Sequence, residues 1–270
     1  QGGTDMITAD KLSNEEYHAT DAISSSAVKA VHGKSLAHWK AQRTFKPTIA
    51  MAIGTCVHDM CLEDSAGVIR GPADRRGNTW KDAFADAEAA GKLLLTAGDY
   101  DLARNVSDSL LFHPVGAKMA GPTTINEASF FSTDEATGLD IKCRPDSYDM
   151  DAGVIYDIKT CQDSSIRAVS ADIWKYSYAL QAAFYLHTLR SAGYKAERFI
   201  FAFVEKSAPY AVNVTELTKE YIEWAETQMR NALHDIKTAN DTQVWDTGYS
   251  TGVNVVDAPR WVQTDDDFNN

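Results

Sequence analysis

A chain of 270 residues can bury a full core, and its length fits one domain over 1–270 better than two. Its 44% hydrophobic and 10% aromatic content is that of a globular protein, and no apolar run approaches the roughly 20 residues of a membrane helix, so no membrane partner is expected and the cytoplasm is the expected compartment. A net charge of −12 argues against a protein that coats DNA nonspecifically, yet allows an enzyme with a local basic track beside an acidic metal site.

The opening QGGTDM lacks the basic-then-apolar layout of a signal peptide, and residues 1–5 are set aside as a candidate cloning remnant. Ser13-Asn-Glu-Glu16 has capping-box spacing and predicts a short helix. Ser24–Ser26 begin another, with Val28 and Val31 as apolar positions. Ile53, Val57 and Cys61 recur with a period near four, predicting a helix over 49–62 that carries Gly54 and His58 one turn apart on a neighbouring face. Residues 70–81, RGPADRRGNTWK, read as a basic loop. Helices are predicted over about 82–94 and 97–112, the second opened by Thr96 and closed before Pro114.

From about 124 the period changes to two. INEASFFST, GLDIKCRPD and GVIYDIKT read as an antiparallel meander turning at Thr137-Gly138 and Asp151–Gly153. A long helix over roughly 171–192, strands over 198–206 and 210–217, and a helix from Thr218 to about 238 complete a mixed sheet flanked by helices, an α/β class. Residues 263–270 read as a flexible acidic tail. Cys56, Cys61, Cys143 and Cys161 form no CxxC pair and read as reduced, mostly buried thiols, which disfavours an iron–sulfur site.

Chemistry concentrates in 138–160. Asp157 and Lys159 are two apart on a strand and leave the same face, while Tyr156 and Ile158 leave the other. Asp146 and Asp157 are either turn-flanking acids or paired carboxylates that need a divalent cation such as Mg²⁺ or Mn²⁺. Lys159 is either a structural ion pair or a cation that orients water and offsets charge growing on a phosphate. Such a set can hold a hard metal and hydrolyse a phosphodiester. The motif from Asp149 to Gly153 resembles a calcium loop but lacks its distal Glu, and is better read as a hairpin turn. His18, His32, His38 and His113 pair with no nucleophile and read as surface or packing residues.

Asp146 followed by Asp157-Ile158-Lys159 resembles the D…(D/E)xK signature of the PD-(D/E)XK nuclease superfamily, with Pro145-Asp146 supplying its Pro-Asp. His58 in GTCVHDMCLE resembles the helix-borne ligand histidine of RecB-like and RecE-like exonucleases, and Gln181-Ala-Ala-Phe-Tyr185 resembles their QxxxY motif. With YHATDAISSSAVK, RRGNTWKD and a late Pro259-Arg260-Trp261, the layout resembles the RecE-type exonuclease domain (exonuclease VIII) over about residues 14–262.

That resemblance implies a restriction-endonuclease-like core. It implies His58, Asp146, Asp157 and the Ile158 carbonyl as metal ligands, Lys159 as catalytic lysine, and Gln181 and Tyr185 near the scissile phosphate. Glu127 matches a commonly acidic position, or is a strand-edge glutamate. Arg75, Arg76 and Lys81, with Trp80 among them, form either a DNA track or a solvated loop. Ser25 and its serine neighbours either grip a terminal phosphate or simply cap. The implied activity is Mg²⁺-dependent digestion of linear duplex DNA, 5′ to 3′, leaving a 3′ single strand for a RecT-like annealing protein, by a ring-shaped homo-oligomer. A RecB-like or structure-specific endonuclease of the same fold, and a non-catalytic DNA-end-binding protein, are the alternatives.

Overall fold

A computed structural model describes residues 12–41, 48–63 and 67–257. The first five residues, the Pro259–Trp261 match and the acidic tail lie outside the described residues. Helix α1 (Asn14–Ala19) carries the expected reciprocal cap: the Ser13 hydroxyl accepts from the Glu16 amide, and the Glu16 carboxylate accepts from the Ser13 amide. Helices α2 (Ser25–Gly33), α3 (Leu36–Lys40) and α4 (Ile49–Leu62) follow. Ser24 sits at the N-cap of α2, but its hydroxyl makes no capping bond, contrary to the capping role the sequence suggests.

Strand β1 (Val68–Arg70), helix α5 (Gly77–Ala89) and strand β2 (Leu93–Leu95) form a small unit with β1 and β2 parallel. The basic loop is therefore shorter than 70–81, because Asn78–Lys81 already lie in α5. Residues 93–95 are strand rather than helix: Gly91 closes the helix with a positive φ of 65°, and the three leucines pair with β1. Thr96 caps α6 (Ala97–Phe112) as expected. The short α7 (Pro114–Met119), absent from the sequence reading, starts on a proline at its first turn, where a missing N–H costs nothing.

The expected meander is split. Strands β3 (Thr124–Asn126), β4 (Phe130–Thr133), β5 (Asp140–Cys143), β6 (Ser147–Asp149) and β7 (Val154–Cys161) belong to two sheets. β4 and β5 pair only with each other, whereas β3 and β6 join β7. Both breaks fall at the same level. Pro145 can donate nothing to a ladder, and Glu127 takes a left-handed φ of 51°, with its amide donating to the Asp146 carbonyl at 3.1 Å. The expected turn at Asp149–Gly153 is present, with the Asp149 carboxylate accepting from the Asp151 and Ala152 amides.

The predicted helix over 171–192 is two helices, α8 (Ile166–Lys175) and α9 (Tyr178–Ser191), broken at Ser177, whose φ is 53°. Strands β8 (Arg198–Glu205) and β9 (Val212–Glu216) and helix α10 (Lys219–Thr242) complete the chain. The main sheet runs β3-β6-β7-β8-β9, with β7 and β8 parallel over eight residue pairs and the other neighbours antiparallel.

Alternation along β7 and β8 divides the core in two. Val154, Tyr156, Ile158, Ile200, Ala202 and Val204 pack toward α4, α6 and α7. Ile155, Cys161, Phe199, Phe201 and Phe203 pack toward α2, α8, α9 and α10. Asp157 and Lys159 therefore leave β7 on the α9 side, as the period of two requires. All four cysteines are buried free thiols, as expected.

Candidate active site

Helix α4 presents His58 over the level at which β3 and β6 break from β4 and β5. His58 Nδ1 lies 3.4 Å from Asp146 Oδ1 and 3.5 Å from Glu127 Oε1. The three side chains offer donor atoms within 4.8 Å of one another, a spacing suited to one cation. Glu127 and Asp146 sit on the two breaks, so the bend that splits the meander is also what brings them under the helix. The other Asp146 oxygen accepts from the Ile158 amide at 2.6 Å, which fixes the carboxylate against β7.

Beside this cluster, Asp157 is held from two sides. Gln181 Nε2 donates to its Oδ1 at 2.6 Å, and Lys159 Nζ pairs with its Oδ2 at 2.5 Å. Gln181 on α9 thus locks the carboxylate, and Tyr185 one turn further packs its ring edge-on against Phe199. Of the residues the sequence reading grouped as ligands, His58 and Asp146 converge. Asp157 has both oxygens engaged by Lys159 and Gln181, and Ile158 contributes its amide to Asp146. Glu127, read from the sequence as a commonly acidic position or a strand-edge glutamate, stands against His58.

The electrostatics match a site built around positive charge. Burial alone would lower the His58 pKa, but the Asp146 and Glu127 carboxylates outweigh it and raise the imidazole to about 9. Burial, then the charges of Asp157 and Glu127, push the Asp146 carboxyl well up, against the pull of His58 and Lys159. Burial would likewise lower Lys159, but Asp157, then Asp146 and Tyr178, hold its ammonium above the usual range. Three acids crowded in a half-buried space are costly unless a cation joins them, and the oxygen-rich donor set with one imidazole fits Mg²⁺ or Mn²⁺.

A cleft of about 640 Å³ opens onto His58 and Glu127, walled by Thr55, Asp59, Gly91 and Arg144. Arg75, Arg76 and Lys81 are not among its lining residues. Arg75 pairs with Asp99 at 3.1 Å and lies over the Trp80 ring, while Arg76 is 89% exposed and Lys81 is exposed. Ser25 is buried in the first turn of α2.

Sequence reasoning missed Lys142 and Arg144. Lys142 Nζ donates to the Tyr17 and Thr20 carbonyls at 2.6 and 2.7 Å. Arg144 donates to Ser129, Asn14 and the Leu12 and Ser13 carbonyls, and stacks 4.2 Å from the Tyr17 ring. Ile23 also bridges Ile141 of β5 in parallel. The alternation Ile141, Lys142, Cys143, Arg144 carried the signal: two apolar residues on one face and two cations on the other, where the N-terminal carbonyls cover them.

No curated protein matches the chain. Among solved structures, a protein of Eubacterium rectale provisionally assigned as an exonuclease superposes with a TM-score of 0.61 at 16% identity, over 92% of this chain and 95% of that one. This similarity shows a shared fold. A phage-related exonuclease from Haemophilus somnus aligns with a TM-score of 0.38 at 12% identity, over 83% of this chain and 96% of that one, too distant to carry an argument. The family model described as "PDDEXK-like domain of unknown function (DUF3799)" matches residues 24–258, from the N-cap of α2 to beyond α10 and across every site residue above. The chain belongs to that family, and its fold is the PDDEXK-like α/β core that Asp146, Asp157 and Lys159 suggested.

Proposed function

We propose that the protein is a metal-dependent deoxyribonuclease that digests linear duplex DNA from its ends. The observation that carries this reading is the convergence of His58, Glu127 and Asp146 beside the locked Asp157–Lys159–Gln181 group. A divalent cation held by His58, Glu127 and Asp146, with Asp157 and the Ile158 carbonyl completing its surroundings, would polarise the phosphate and supply hydroxide near neutral pH.

The side chains do the rest. Asp157 holds Lys159 so that its ammonium faces the phosphate and offsets the charge that grows there. Gln181 prevents the Asp157 carboxylate from turning away, and Ile158 does the same for Asp146 through its amide. The cleft in front of His58 admits the strand, and Tyr185 supports α9 behind Gln181. Arg75, Arg76 and Lys81 serve the duplex ahead of the site, and the start of α2, through Ser24 and Ser26 beside the buried Ser25, receives a terminal phosphate.

On the family resemblance, the polarity is 5′ to 3′, Mg²⁺ is the working ion with Mn²⁺ able to replace it, and the 3′ strand passes to an annealing protein in recombination. The working form is a ring-shaped homo-oligomer in the cytoplasm. Digesting a linear duplex labelled at either the 5′ or the 3′ end tests this. Early release of the 5′ label, with a closed circular duplex left uncut, is expected. Cutting of the closed circle would mark an endonuclease instead.

A further inference from the structure

Tyr178, the first residue of α9, lies beside two ammonium groups. Lys159 Nζ is 4.8 Å from its ring centroid and Lys29 Nζ of α2 is 5.8 Å from it. Asp157 neutralises Lys159, whereas among the described residues Lys29 forms no ion pair with any carboxylate. A half-buried cation beside a catalytic-type lysine, without its own counter-ion, is a costly arrangement unless an anion is supplied from outside. Away from the site, the Tyr176 ring stacks 5.5 Å from Tyr178 at 34°, is 47% exposed, and has Lys175 Nζ 4.9 Å from its centroid. Tyr176 and Tyr178 flank Ser177, whose left-handed φ of 53° separates α8 from α9.

Cations alternating with ring faces, leading from a hydrolytic centre to the surface, match the alternation of phosphate and base along a single strand. We propose that Lys29 and Tyr176 bind the substrate strand beside the scissile phosphate, Lys29 taking a neighbouring phosphate and Tyr176 stacking a base. This rests on reading the Asp157–Lys159 centre as a DNA-hydrolysing site. Burial, and then the like charge of Lys159, push the Lys29 ammonium down to about 8, so it stays charged at neutral pH, and an arriving phosphate offsets that penalty.

The test is fluorescence anisotropy of a labelled single-stranded oligonucleotide at pH 7 in EDTA, over a range of salt. Lys29→Ala flattens the plot of log affinity against log salt by about 0.7, the loss of one phosphate contact on a single strand. Lys29→Arg restores the slope. Tyr176→Ala weakens binding at least about fivefold, and Tyr176→Phe does not. Should Lys29→Ala fail to fold, Lys29→Gln, which keeps the packed stem, gives the same reading. An unchanged slope in a folded Lys29 variant, or no binding by the wild type, overturns the proposal. Digestion with Mg²⁺ or Mn²⁺ separates the two ideas. A wild type that binds with these slopes but never digests DNA removes the nuclease reading and leaves the strand track. One that digests while Lys29→Ala matches it in slope and KM removes the track and leaves the nuclease.

Discussion

Glu127 holds a left-handed backbone with a full side chain, at a cost on the order of 1–3 kcal/mol that the surrounding structure must cover. Such strain persists where it aims a group, here a carboxylate at His58. Glu127→Gly should therefore be more stable than Glu127→Ala by about 1 kcal/mol, since glycine takes this φ freely. Both should lose most of the rise in melting temperature that Mn²⁺ gives the wild type; thermal melts with and without Mn²⁺ check both points. Gln181→Ala should cost about 1–3 kcal/mol in denaturant titration, because it leaves a buried Asp157 oxygen unpaired. At Asp134, burial would raise the carboxyl, but bonds from Thr137 and from His187 outweigh it and hold the pKa below the ordinary value. The stability it contributes is full above the unfolded pKa of about 3.9 and is lost as pH falls through the folded value. The gap in unfolding free energy between wild type and Asp134→Ala should thus be largest near neutrality and shrink below about pH 4.

At the scale of elements, the N-terminal segment is a strap, tied by Lys142 and Arg144 to the outer side of β5 and continued by the Ile23 bridge. Arg144→Ala should speed hydrogen exchange in α1 while leaving α9 and β8 protected, which exchange mass spectrometry would read directly. The period of two at Asp157 and Lys159, and the i, i+4 step from Gln181 to Tyr185, are local geometry, so one strand and one helix suffice to predict which side chains share a face. The meeting of Glu127 and His58 is not local. It depends on two strands leaving one sheet for another at Pro145 and Glu127, and a glutamate between two β-patterned runs carries no mark of a positive φ. The break at Ser177 was equally silent, since Tyr176-Ser177-Tyr178 has no glycine or proline to announce it. Residues 93–95 misled for the opposite reason: leucine favours helix, and pairing with β1 overrode that preference.

For the whole molecule, the charge of −12 and the DNA-directed reading coexist because the cations are placed locally. Lys159 and Lys29 flank the Tyr178 ring and Lys175 lies over Tyr176, while Arg75 and Arg76 precede α5 and Lys81 lies in its first turns. The α/β class and the PDDEXK-like core were legible because a few chemical residues, spread from His58 to Tyr185, carry the pattern across nearly half of the chain. The helices around the core follow packing that the pattern does not encode. No helix among the described residues is long and apolar enough to cross a membrane. On the proposed function, His58, Glu127, Asp146, Asp157 and Lys159 together hydrolyse DNA with a divalent cation. The most direct test of that function is release of nucleotides from a linear duplex by the purified protein, in Mg²⁺ or Mn²⁺ and in EDTA, for wild type, Asp157→Ala and Lys159→Ala of matched thermal stability. Metal-dependent release by the wild type, lost at least about a hundredfold in both variants, is predicted. Release that persists in EDTA or in both variants, or none from the wild type with either metal, would contradict the account.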